Sequence, residues 1–157
     1  MLPTRRLSHA QGYLELGMVA EAAAELDQIP APENTQLDFL GVRLAVLQAQ
    51  QNWTELRDAA RDLVERVPKE ASAWITWAYA SRRADSLDAA EQILLAAELQ
   101  HPAEPTIQFN LGCYACQRGD ITAARSRVAR AIALDPKFSE AARTDPDLAP
   151  LRERERP

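Results

Sequence analysis

Residues that break, cross-link or catalyse are scarce in this 157-residue chain: it has 5 glycines, 2 cysteines and 2 histidines. Cys113 and Cys116 are too few and too close together to build a disulfide framework, and they suit a reducing compartment. No run of about 18 apolar residues occurs, so no membrane-spanning helix is expected. The opening Met1-Leu2-Pro3-Thr4-Arg5-Arg6 has no uninterrupted apolar stretch behind its arginines and does not read as a secretory signal. A cytoplasmic location is the expectation. Positive charge is also short, with 18 Lys+Arg against 23 Asp+Glu and a net charge of −5, which disfavours non-specific binding to nucleic acid or an anionic membrane. His9 and His101 have no neighbours that suggest a nucleophile or a metal set, and no glycine-rich phosphate loop is present. The chain therefore reads as a non-enzyme with no cofactor and no metal ligand.

What remains is a globular mixture, 46% hydrophobic and 26% charged, in which abundant alanine against few glycines favours helix. The length fits one domain or a short array of small units. An array is indicated by Pro68, Pro102 and Pro136, which stand 34 residues apart, each after an alanine-bearing apolar stretch that ends like a helix C-terminus. The period extends back to Asn34. Counted this way, units begin at Pro3, Leu37, Ala71 and Pro105.

The unit from Pro105 reads PTIQFNLGCYACQRGDITAARSRVARAIALDP. Its Gly112 and Ala124 permit close helix crossing, Gly119 tolerates a positive φ between helices, and Asp120 suits an N-cap. With Leu111, Val128, Ala131 and Pro136 in their places, this unit resembles the tetratricopeptide repeat (TPR). The unit from Ala71 follows, with Trp74, Trp77, Ala78, Ala90, Leu94, Ala97 and Pro102. The unit from Leu37 departs further, because Leu44 and Leu56 replace small residues and Ala60 replaces a bulky one. The first keeps Ala10, Tyr13, Gly17, Ala22 and Leu26, but Pro30 cuts its second helix short.

The resemblance implies an all-α superhelix, a solenoid of about four helix-turn-helix repeats over 3–36, 37–70, 71–104 and 105–136, in a single domain. Helices are expected at 4–17, 19–29, 34–50, 53–66, 71–83, 86–99, 104–118 and 120–134. A short capping helix follows within 137–151, where Phe138, Leu148 and Leu151 cover the apolar end of the last unit, since a terminal repeat has no neighbour to bury it. The tail 152–157 reads as frayed.

In this family the first helix of each pair lines a concave surface that receives peptides. Slots on that face recur at spacings of three and four. The resemblance thus implies a partner-binding set of Val42, Ile75, Thr76, Tyr79, Phe109, Asn110 and Cys113, with Arg82 and Arg83 at the rim. This face suits an extended, partly apolar segment. The lysine, asparagine and arginine set with which some relatives grip a chaperone C-terminal carboxylate is not reproduced, as only Asn110 could belong to it. The helix-end arginines Arg82, Arg83 and Arg118 suit the helix dipole, and stacking would bring them together.

The leading reading is a non-enzymatic protein-interaction module or adaptor, bacterial, that holds a protein or peptide partner in the groove. Alternatives are a chaperone resembling the class II type III secretion chaperones, and a redox or metal-responsive switch at Cys113 and Cys116. In a C-x-x-C at mid-helix, without further ligands nearby, the plainer expectation is two semi-buried thiols. Residues 1–36 carry 2 basic and 5 acidic groups and residues 105–157 carry 9 and 7, a gradient that admits weak head-to-tail self-association.

Overall fold

A computed structural model describes residues 1–154. It is built of helices arranged in antiparallel pairs: α1 Pro3–Glu15 with α2 Val19–Asp27, α3 Leu37–Ala49 with α4 Trp53–Arg66, α5 Ala71–Ala84 with α6 Leu87–Gln100, and α7 Pro105–Gln117 with α8 Ile121–Leu134. Two short helices follow, α9 Phe138–Thr144 and α10 Ala149–Glu153, separated by a 3-10 turn at Pro146–Leu148. No strand occurs among the described residues.

The 34-residue period fixes the turns inside each pair. Gly17 and Gly119 take φ of +73° and +82°, and Gln51, one period after Gly17, takes φ +55°. Glycine bears that conformation freely, whereas Gln51 adopts it at a cost of about 1 kcal/mol. The next residue opens the outer helix. Asn52, Ser86 and Asp120 each accept a hydrogen bond from the backbone amide three residues on, as N-caps do. Met18, in the equivalent place, offers no such side chain.

The first pair departs from the expected boundaries. α2 ends at Asp27 rather than at residue 29, and a 3-10 turn at Glu33–Thr35 delays α3 to Leu37. Pro30 and Pro32 deny amides to a continuing helix, and Ile29, 5% exposed, turns inward instead. The exchange of large and small residues in the second pair also has a structural place. Leu44, Leu47 and Leu56 pack around Ala60 and Ala80 in a cluster of their own, so bulk on one pair meets alanine on the next.

The largest cluster runs from α4 to α10 and contains Val64, Leu94, Ile107, Val128, Leu148 and Leu151. Gly112 sets its tightest spacing. A methyl group there would lie 2.9 Å from Val128 Cγ2 and 3.2 Å from Arg127 Cβ, so a glycine lets α7 meet α8. The C-terminus is more ordered than a frayed tail from residue 152, because Arg152 Nη1 donates to the carbonyls of Ala142 and Asp145. The remainder of that expectation, 155–157, lies outside the described residues.

One polar node is built into the α6–α7–α8 contact. The fully buried Gln108 donates from Nε2 to Glu98 Oε1 at 2.7 Å and accepts from Arg127 Nη1 at 2.9 Å, while Arg127 also pairs with Glu98. Burial raises the Glu98 pKa, but hydrogen bonds from Arg127 and Gln108 outweigh it and hold the carboxyl below its ordinary value. A depressed carboxyl adds stability above its unfolded value, about 4.3, and that stability disappears as pH falls through the lower folded value. Arg127→Gln is expected to cost about 1 kcal/mol at neutral pH, a modest sum because both charges still touch water. Its urea midpoint should fall less steeply than wild type as the solution is acidified. Parallel pH profiles for the two proteins would remove Glu98 from the acid response.

Candidate protein-interaction groove

The inner-face residues of α1 and α3 border an open groove of about 860 Å³. Leu7 and Leu14 are half-buried on its α1 side, Gly41 and Ala45 are exposed on its α3 side, and Thr4, Ser8, Gln11, Glu15 and Asp38 supply polar edges. Val42 also borders the groove but is 7% exposed and belongs to the N-terminal core, so it offers a ligand little surface.

On α5, Ile75, Thr76 and Tyr79 are half-buried. Ile75 also packs against the main core. Arg83 is exposed, lays its guanidinium 3.5 Å from the Tyr79 ring centroid and 5.0 Å from that of Trp53, and donates to the Tyr79 carbonyl. Trp53 meets Tyr79 edge-on at 5.7 Å. This cation–π stack is a rim feature absent from the sequence reading, because Trp53 opens an outer helix and its position there gave no hint that it reaches α5.

The three helix-end arginines do not converge. Arg82 forms a two-point ion pair with Asp147, at 2.6 and 3.2 Å, and lies over the Tyr114 ring. Asp147 lowers the free energy of the charged guanidinium, and the Arg82 pKa is raised accordingly. Arg118 pairs instead with Asp88 and with Glu91 on α6.

The C-terminal segment covers α7 of the fourth pair. Phe138 of α9 packs on Phe109 at 5.1 Å between ring centroids, and Gln117 Nε2 donates to the Asp147 carbonyl at 2.9 Å. The segment after α9 therefore folds across α7 and reaches α5. Phe109 and Cys113, 5% and 4% exposed, are packed beneath it and offer a partner peptide little surface. Asn110 stays half-buried beside a small cavity of about 180 Å³ that Tyr79, Arg82, Arg83, Cys113, Tyr114, Asp145 and Asp147 also line. Cys116 is buried as well, so both thiols are more deeply enclosed than expected. Burial first, then the carboxylates of Asp145 and Asp147, push the Cys113 thiol up to about 12. Asp145 and Asp147 lie more than thirty residues from Cys113 in sequence, and no local pattern marks them as its neighbours.

No family model and no curated protein matches the sequence. Its fold matches that of MamA. The chain is 16% identical to a MamA RS-1 double mutant, with 91% of this chain and 78% of the other covered at a TM-score of 0.73. It is 16% identical to MamA from residue 41 to the end from Desulfovibrio magneticus RS-1, covering 96% and 89% at a TM-score of 0.72. MamA AMB-1 is similar at 12% identity, 96% and 88% coverage and a TM-score of 0.67. At such identities the likeness to MamA establishes an α-α superhelix of TPR-like helical pairs. No helix among the described residues is long and apolar enough to cross a membrane.

Proposed function

We propose that this protein is a non-enzymatic interaction module that holds a protein or peptide segment against the inner face of α1, α3 and α5. The observation that carries this reading is the open groove of about 860 Å³ with Leu7, Leu14 and Ala45 on its walls. Ile75, Thr76 and Tyr79 extend the contact surface, with Arg83 and Asn110 at the rim. Arg82 contributes indirectly by holding the C-terminal turn, the buried Val42 supports the wall from behind, and Phe109 and Cys113 lie covered outside the contact surface. The mixture of apolar and short polar groups suits an extended segment whose apolar side chains seat between the helices, with backbone polar groups left to hydrogen-bond at the edges.

Ala45→Arg tests the reading. The position is exposed, so a long cationic side chain fills the groove without disturbing the core. Partners captured by the wild-type chain should bind this variant at least about tenfold more weakly, in line with losses at the centre of an interface. Leu99→Arg, on α6 and 86% exposed, should leave capture unchanged. Loss with Leu99→Arg and retention with Ala45→Arg would move the binding surface to the outer helices.

A further inference from the structure

We propose that Cys113, Asp145 and Asp147 form a site for a thiophilic divalent cation, of which zinc is the representative, that fastens the C-terminal turn to α7. One ligand atom from each of these residues lies within 4.8 Å of the other two. A tetrahedral zinc ion with bonds of about 2.0–2.3 Å spaces its ligands about 3.5 Å apart, so side-chain rotation of about 1 Å closes the triad. The thiol supplies an independent indication. Cys113 is 4% exposed, it faces these two carboxylates, and it has no hydrogen-bond partner among the described residues.

The surroundings fit such an ion. Two carboxylates and a thiolate around a divalent cation leave one negative charge, which the Arg82 guanidinium balances. Arg82 also orients Asp147 through its two-point contact, and the Asp147 amide donates to Asp145 Oδ1 at 2.8 Å, the outer-shell support that metal-binding carboxylates use. Arg83 also borders the cavity beside these residues, but its guanidinium stacks on the Tyr79 and Trp53 rings. The cavity beside the triad, about 180 Å³, gives an ion a route in and leaves room for water in a fourth position. One sulfur with two carboxylate oxygens suits zinc better than magnesium or calcium, which prefer all-oxygen shells. Ligation breaks the Cys113 S–H bond, forms the metal–sulfur bond and releases the proton to solvent, with no change of oxidation state. This site differs from a C-x-x-C half-site, because its partners come from the C-terminal turn and Cys116 is not among them.

Cobalt(II) added to the full chain is the direct probe. One equivalent should produce a thiolate-to-cobalt charge-transfer band and visible bands of tetrahedral intensity, all removed by zinc. Cys113→Ser should abolish the charge-transfer band, and Cys116→Ser should retain it. Asp145→Asn should weaken binding at least about tenfold, and circular dichroism of that variant checks that the turn persists. Zinc should raise the melting temperature of wild type and leave Cys113→Ser unmoved. Absence of a charge-transfer band in the wild-type chain, its survival in Cys113→Ser, or its loss in Cys116→Ser would overturn the site.

Discussion

Replacing Trp74 with alanine is expected to cost about 4 kcal/mol, the range for removing a buried tryptophan. Trp74 is 8% exposed, packs into the main cluster and lies 5.8 Å from Trp77 between ring centroids. Its Nε1 donates to the Pro68 carbonyl at 2.9 Å, which ties the end of the second pair to the first helix of the third. Two contributions therefore have to be separated. The hydrogen bond is the smaller, because the His101 ring also contacts the Pro68 carbonyl at 3.0 Å and keeps it from being orphaned. A neutral hydrogen bond contributes about 1 kcal/mol net, whereas loss of the indole removes a large buried aromatic surface from the main cluster. Trp74→Phe keeps an aromatic ring without the donor and should cost about 1–2 kcal/mol. For a chain of this size, the alanine variant should melt about 10–15 °C lower. Equal losses in the two variants, measured by urea unfolding, would show that the hydrogen bond dominates instead.

Local chemistry made the helices legible. The residues at positions 17, 51, 85 and 119 follow one period, and the caps at Asn52, Ser86 and Asp120 sit one residue after three of them. The observed α4 matches the expected 53–66, and α5 to α8 fall within a residue or so of expectation. The failures lie where long-range contacts decide. Helical spacing assigned Phe109 and Cys113 to the expected partner-binding face, whereas the structure buries both. Spacing carried no information that Asp147, 65 residues after Arg82, would pair with it and draw the turn across α7. Arg82 and Arg83 make the same point, since one is clamped to Asp147 and its neighbour stacks on Tyr79 and Trp53. Phe138, Leu148 and Leu151 were expected to cover the end of the last pair, and their apolar character sufficed for that much. That the same segment also crosses α7 to reach Arg82 on α5 depends on its path.

Leu148→Ala is expected to cost about 3 kcal/mol, and its effect should concentrate at the C-terminal end. Leu148 is fully buried in the turn before α10, and with Leu151 it joins the cluster formed by α7 and α8. Truncation removes the transfer free energy of its side chain and leaves a cavity that this short turn fills only in part. In a stack of helical pairs each unit is stabilised mainly by its neighbours, so the terminal cover opens without unfolding the N-terminal pairs. Opening exposes Cys113 and Cys116, both buried in the intact fold. If the 3 kcal/mol falls on this local opening, thiol labelling at constant pH should accelerate by about two orders of magnitude, since each 1.4 kcal/mol is a factor of ten in the open population. Far-ultraviolet circular dichroism should change little, because the helices of the first three pairs remain paired. A labelling rate equal to wild type, alongside a lowered global melting point, would mean that the turn does not open separately and that the whole array shares its stability.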